Sequence, residues 1–253
     1  QGIQSAMQNG VLAGYNVVDV KAARELGITV TFVPTYGTEA VAQHTFALIL
    51  ELANHVALHS DAVKNGQWRD YRKFCFWNTP LFELKGKTLG IIGYGRIGRE
   101  TAKIRAFNMN VIFYSHRDMG EQPDRQVDLD TLLKESDIVS LHCPLNDETK
   151  GLINAENLGK MKNTAWLINT ARGPSVVDGD LAEALNGGII AGAGFDVCTK
   201  EPPEEDNPLL TAKNCIMTPH IAWAAKETRE RLISLAAQNL ESYLAGNPVN
   251  IAK

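Results

Sequence analysis

Three short stretches of this chain carry side chains that could do acid–base chemistry on a small anion: "NTARGPSVVD" with Arg172, "FDVCTKEPP" with Glu201 and "TPHIAW" with His220. A guanidinium grips a carboxylate through two parallel N–H···O bonds. An imidazole exchanges protons near neutral pH, and a carboxylate beside it stabilises the imidazolium and fixes its orientation. Singly, each residue has a bland reading. A surface Arg is usually just solvated, Glu201 before Pro202 and Pro203 reads as the acid of an irregular loop, and His220 after Pro219 could be a satisfied core histidine. Their convergence carries the argument, because each follows an apolar, β-rich run. In an open α/β sheet, ligands bind at the carboxyl ends of such strands.

The elements that must position these residues read as follows. From Lys87 onward the runs "TLGIIG", "VIFY", "DIVSLH", "AWLIN", "IIAGAGFDV" and "CIMT" alternate with helical patterns over Ile97 to Phe107, Leu129 to Glu135, Ala155 to Met161 and Asp178 to Leu185. The runs are apolar along most of their length, as expected where helices cover both faces of a parallel sheet. The predicted fold class is therefore α/β: a doubly wound, Rossmann-type parallel sheet of six strands. Ahead of it, Glu39 to Asn65 reads as one long helix with Thr38 as N-cap, Glu39 at the positive end and Gly66 as the stop. At about 1.5 Å per residue it would run roughly 40 Å, enough to bridge domains or line a dimer interface. The segment "NGVLAGYNVVDVKAARELGITVTFVP" predicts strand, helix, strand, and Lys226 to Ala245 another helix closed by Gly246 and Pro248. The two chain ends, residues 1–36 and 226–253, are expected to form a smaller α/β domain, with 37–225 as the sheet domain.

The turn "GYGRIG" links the first run to the helical pattern behind it. That context makes it a dinucleotide-binding signal: Gly93 for the tight turn, Gly95 for close approach of phosphate, Gly98 for helix–strand packing, and helix N-terminal amides for the pyrophosphate. Arg96 adds a possible second charge. The second strand ends at Tyr114, so Ser115 stands where an acid would accept hydrogen bonds from the adenosine ribose and repel a 2′-phosphate. With Ser115, His116 and Arg117 there, the site is expected to accept NADPH at least as well as NADH, with Arg117 providing most of the discrimination. The competing possibilities are that Asp118 swings back to the ribose, or that Arg117 stacks on the adenine.

Composition excludes several classes. A net charge of −4 and a pI near 5.9 predict no general attraction to nucleic acid or to an anionic membrane. Cys75, Cys143, Cys198 and Cys215 lie far apart with no Cys-x-x-Cys pair, so neither a structural metal nor a disulfide framework is indicated, and a reducing, cytoplasmic compartment fits best. The segment "WRDYRKFCFW" crowds Trp68, Tyr71, Phe74, Phe76 and Trp77 into a short non-periodic stretch, which predicts a homodimer contact; the alternative is that the rings pack beneath the loop.

Taken in order, "GYGRIG", "LHCPLNDETKGLI", "NTARGPSVVD", "FDVCTKEPP" and "PHIAW" resemble the NAD(P)-dependent dehydrogenases specific for D-2-hydroxy acids, over essentially the whole chain. "FCFWNTPLFELKGKT" and "PHIAWAAKETRERL" look most like the glycerate dehydrogenase, or hydroxypyruvate reductase, branch. The resemblance implies a catalytic set of Arg172, Glu201 and His220. It implies cofactor contacts at Arg96, Ile97, Ser115, Cys143, Pro144, Thr149, Thr170, Ala171, Arg172, Asp196 and His220, with NADP or NAD as cofactor and a small 2-keto or 2-hydroxy acid as substrate. The family's loop whose backbone amides hold the substrate carboxylate falls on Ala13 and Gly14, where "VLAGYNVVD" looks one residue short. Family members are longer, so about 60 residues of the smaller domain are expected to be missing ahead of Gln1, judged by where a glycine turn falls in such a domain pair. The chemistry agrees with the resemblance. Reducing a 2-keto acid needs a hydride, a cation on the carboxylate and carbonyl, and an acid for the developing alkoxide. The runner-up function is a non-catalytic dinucleotide-binding module, either a truncated fragment or a protein that senses the cofactor and binds partners.

Overall fold

The structure is a computed structural model that describes residues 18–252. The expected first strand, together with Ala13 and Gly14, lies outside the described residues. In chain order the elements are helices α1 (Val20–Glu25), α2 (Thr38–Asn54), α3 (Val56–Lys64) and α4 (Gln67–Tyr71); strand β1 (Thr88–Ile92); helix α5 (Arg96–Thr101), continued by a 3₁₀ segment (Ala102–Phe107); strands β2 (Asn110–Tyr114) and β3 (Arg125–Gln126); helix α6 (Leu129–Glu135); strand β4 (Ile138–Leu141); helix α7 (Ala155–Lys160); strand β5 (Trp166–Asn169); helix α8 (Asp178–Asn186); strands β6 (Gly192–Phe195) and β7 (Cys215–Met217); and helix α9 (Lys226–Leu244).

The strands form one parallel sheet in the order β3-β2-β1-β4-β5-β6-β7. Chain direction across the sheet reverses between β1 and β4, the position at which such sheets bind dinucleotides. The sheet has seven strands, one more than the sequence predicts. The addition is β3, whose two polar residues pair with Ile112 and Phe113 and offer no apolar run to read. The interior strands are buried on both faces. One layer gathers Leu132, Leu158, Leu181, Leu185 and Phe195, and the other Leu48, Ile49, Leu52, Phe113 and Trp166. Burial on this scale is the main source of the sheet's stability.

The single long helix expected over Glu39 to Asn65 is two helices. Helix α2 begins at Thr38 itself and buries Ala42, Thr45, Leu48, Ile49, Leu52 and Ala53, a helical stripe. At His55 the backbone turns left-handed, with φ 44°, and the amide of Ala57 donates to Glu51 Oε1 at 3.3 Å. A non-glycine residue in this region interrupts a right-handed helix. Beyond it α3 buries nothing, and Val56 and Leu58 are exposed. The rings that follow are also open: Phe74 is 93% exposed and Trp77 66%. Phe76, between them, is half-buried, with the rings of Tyr71 and His59 at centroid distances of 6.2 and 6.4 Å.

The described residues fall into two compact units, Val41–Ala222 and one drawn from the residues on either side of it. Within the second, the chain ends pair. Phe32 N donates to Asn250 O at 3.0 Å, Ala252 N donates to Val30 O at 2.9 Å, and Thr31 bridges Ile251 in antiparallel fashion. The expected strand "TVTFVP" is reduced to this one bridge, while α1, N-capped by Asp19, and α9 form as helices.

Candidate active site and dinucleotide cradle

Strand β5 ends at Asn169, which is fully buried although its neighbours are apolar. Its amide staples the turn that follows: Oδ1 accepts from Ala171 N at 3.0 Å and Nδ2 donates to Arg172 O at 2.9 Å. Arg172 therefore leaves the sheet from a clamped backbone, with one guanidinium N–H donated to Ala171 O at 2.8 Å. The adjoining Gly173 is required by close approach, since a Cβ there would sit 1.8 Å from Cys198 O. The loop after β5 is thus pressed backbone to backbone against the loop after β6.

That second loop carries Glu201. Its Oε1 accepts from Cys198 N at 3.0 Å and its Oε2 from His220 Nδ1 at 2.6 Å. Donation from Nδ1 fixes the tautomer and leaves Nε2 as the atom available to a ligand. Glu201 and His220 are both more than a third exposed, so the pair can be reached from solvent. Burial first, and then the nearby Glu201 charge, raise the Cys198 thiol above its ordinary range, which keeps that sulfur neutral beside the pair.

His220 itself has a left-handed backbone, φ 54°, a conformation costly for a non-glycine residue and sustained only where its surroundings impose it. The imposing group is Asp196, 1% exposed at the end of β6. Its Oδ1 accepts from Ile221 N at 2.9 Å and from Thr218 Oγ1 at 2.5 Å, and its Oδ2 from Ala222 N at 2.8 Å. Because the Thr218 hydroxyl donates to Asp196, its oxygen accepts from His44 Nε2, at 2.9 Å. Residues on both sides of His220 hang from one buried carboxylate. Asn169, Thr218 and His44 were not singled out from the sequence. Asn169 could have been, as a polar residue closing an apolar strand; the other two left no local signal.

The glycine turn supplies the other half of the site. Gly93 has φ 96°, and a Cβ on it would strike Cys143 N at 2.6 Å; a Cβ on Gly98 would meet Gly93 O at 2.3 Å. Gly95 has nothing within 4 Å of its missing Cβ. Two glycines close the turn and the middle one leaves open space in front of the amides that begin α5, which is the cradle a pyrophosphate requires. Arg96 and Ile97 follow at once, exposed and half-buried. Tyr94 anchors the turn from below, stacked on Phe113 with ring centroids 3.9 Å apart and donating to buried Asp124, which also pairs with Arg105. Burial and the Asp124 bond push the Tyr94 phenol up to about 12. Across the turn, Cys143 and Pro144 open the loop after β4, which Thr149 ties down by donating to Pro144 O at 2.6 Å. Thr170, buried, shares a 3.0 Å hydrogen bond with Thr45.

At the end of β2 lies a cavity of about 660 Å³ lined by Ser115, His116, Arg117 and Asp118 on one side and by Arg125, Gln126, Asp128 and Thr131 on the other. Asp118 accepts from Gly120 N at 2.8 Å, and Asp128 caps α6 by accepting from Thr131 N at 2.8 Å. Arg125 is paired with Glu135. The Arg117 guanidinium has no hydrogen bond or ion pair among the described residues.

The sheet order and the open glycine cradle define a dinucleotide-binding fold. The sequence profile described as D-isomer specific 2-hydroxyacid dehydrogenase, NAD binding domain, matches residues 46–222, and the chain belongs to the D-2-hydroxyacid dehydrogenase family. Its similarity falls in the glycerate/hydroxypyruvate branch. It is 52% identical to a hydroxypyruvate reductase of Blautia hydrogenotrophica over 96% of this chain and 77% of that protein. It is 42% identical to a glycerate dehydrogenase of Methylorubrum extorquens over 95% and 76% of the two chains. Among solved structures, an NADPH-dependent glyoxylate/hydroxypyruvate reductase of Sinorhizobium meliloti, in complex with NADP and malonate, superimposes with a TM-score of 0.86 at 30% identity, covering 95% of this chain and 75% of that one.

Proposed function

We propose that the protein reduces small 2-keto acids to D-2-hydroxy acids with NAD(P)H, hydroxypyruvate to D-glycerate first, after the names of two similar proteins, and glyoxylate to glycolate next, after the name of another. The observation that carries the reading is the 2.6 Å Glu201–His220 pair, reached from the strand end beside Arg172. When bound, the reduced nicotinamide supplies the hydride. The chain's own residues do the rest. Arg172 holds the substrate carboxylate in its fork and draws electron density from the keto oxygen. His220 gives the proton on Nε2 to that oxygen as it becomes the hydroxyl, and Glu201, accepting from Nδ1, keeps the ring aimed. Asp196 holds the His220 loop at the angle this transfer needs.

Gly93, Gly95 and Gly98 would seat the pyrophosphate, and Arg117, with Ser115 and His116, a 2′-phosphate. Among the described residues the Arg117 guanidinium has no hydrogen bond or ion pair, while Asp118 is engaged with Gly120, which supports use of NADPH at least as readily as NADH. Four cysteines without disulfides suit a reducing, cytoplasmic setting. The exposed Trp68, Phe74 and Trp77 support a homodimer; light scattering at micromolar concentration should give twice the chain mass, and a monomer alone would rule the dimer out. No helix among the described residues is long and apolar enough to cross a membrane.

The deciding assay follows oxidation of the reduced nicotinamide with hydroxypyruvate, glyoxylate and pyruvate in parallel. Turnover fastest with hydroxypyruvate is expected. Tight cofactor binding with no turnover on any of the three would replace this reading with that of a dinucleotide-sensing module.

A further inference from the structure

Strand β3 is too short to matter as a strand, yet its second residue makes three hydrogen bonds to one loop. Gln126 Nε2 donates to Arg117 O at 2.9 Å and to Ser115 O at 3.3 Å, while its Oε1 accepts from Met119 N at 3.0 Å. Both amide hydrogens and the amide oxygen are used, and all three partners bracket the turn that presents Ser115, His116 and Arg117 to the cavity. The other supports of that turn among the described residues are the Gly120–Asp118 contact, one bond from Gln122 Nε2 to Met119 O at 2.8 Å, and the half-buried Met119 side chain packed against the core at its far end. His116 and Arg117 are exposed, so packing does not fix them.

We infer that Gln126 is a positioning residue for cofactor choice: by clamping the Ser115–Met119 turn it holds the Arg117 guanidinium where a 2′-phosphate would meet it. The inference rests on the reading that Arg117 recognises that phosphate. A flexible, charged side chain on an untethered loop must be ordered at the moment of binding, and this cost falls on the ligand that uses the charge. NADH, without the 2′-phosphate, does not draw on it. The geometry is also specific to glutamine. Glutamate has the same length but would set a carboxylate against two carbonyl oxygens, and asparagine is one methylene short.

The test is a titration of NADPH and NADH against the full chain, wild type, Gln126→Leu, Gln126→Glu, Arg117→Ala and the Gln126→Leu/Arg117→Ala double variant. Each Gln126 variant should lower the NADPH-to-NADH affinity ratio about tenfold, the scale of ordering one long side chain and its turn. In the double variant the Gln126 change should add almost nothing to the Arg117 change, because both remove the same interaction. Equal weakening of both cofactors, or additive losses in the double variant, would overturn the positioning role. The near-isosteric Gln126→Glu keeps the test open should the leucine variant fold poorly. If instead wild type and Arg117→Ala show the same cofactor ratio, the phosphate reading of Arg117 itself fails, and that result is separable from any effect of Gln126.

Discussion

The two ends of the cofactor crevice are built by opposite means. At the β5–β7 end, Arg172, Glu201 and His220 sit on loops tied to buried groups: Asn169 at 0% exposure, Asp196 at 1%, and a glycine pressed against the neighbouring backbone. At the β2–β3 end, Arg117 rides on an exposed turn tied by one half-buried glutamine and by Met119 packed on the core beyond it. The difference fits the roles proposed for the two ends. A proton donor contributes only when its nitrogen lies within hydrogen-bond reach of one substrate oxygen, so its support must be rigid and dry. A charge that recognises a phosphate tolerates more latitude, and an exposed loop can supply it. Substitution at the first end should therefore cost rate and stability together, and at the second end only preference.

The sharpest attempt to break this contrast is His220→Asn. It should lower kcat by about 10²- to 10⁴-fold, the contribution of a positioned general acid, while titration finds cofactor affinity nearly unchanged. Undiminished turnover would remove His220 from its role. Next in size is Asp196→Asn. An amide keeps one acceptor oxygen, so one of the donors among Ile221 N, Ala222 N and Thr218 Oγ1 is left without its partner. A loss of about 1–3 kcal/mol in denaturant-measured stability is expected, with a fall in kcat alongside; full activity in a destabilised variant would separate the buried support from the chemistry.

At the other end, Arg117→Ala should weaken NADPH binding by roughly 1.5–3 kcal/mol, the scale of hydrogen bonds to charged groups, and leave NADH binding and melting temperature almost unmoved. A wild-type preference for NADH of tenfold or more would end this side of the comparison. The smallest effect is reserved for a group remote from both ends. Asp137, at the foot of β4, is penalised by burial, but the Thr88 amide and Lys162 outweigh that and hold its carboxyl below the usual carboxylate range. A depressed folded-state pKa contributes stability that is present above the unfolded value, near ~3.9, and lost as pH falls through the folded one. Asp137→Asn should therefore flatten the acid limb of the stability profile, with no change in cofactor ratio.

How legible all this was depends on the range of the forces involved. The glycine turn could be read residue by residue because its three glycines follow one another within a single strand–turn–helix unit; Gly93 and Gly98 have no room for a Cβ, and Gly95 faces open space. The interior strands were legible for a similar reason: burial on both faces leaves an unbroken apolar run. The break at His55 was not, because Val56, Leu58 and Val63 continue an apolar pattern although nothing covers them. Strand β3 escaped notice because two polar residues on an edge carry no periodicity. The pairing of His44 with Thr218 spans 174 positions and leaves no mark in either neighbourhood. Arg172, Glu201 and His220 could be nominated from their strand ends; of what holds them, Asn169 offered a signal as a polar residue closing an apolar strand, whereas the supporting role of Asp196 and its link through Thr218 to His44 did not.

The left-handed step at His55 separates a helix that belongs to the sheet from an arm that the sheet does not cover. On that arm Phe74 and Trp77 stand open to water. If a second copy covers those rings, mass action makes the melting temperature climb as protein is added, and dilution becomes a denaturing condition in its own right. Heat resistance would then be a property of the solution as much as of the chain.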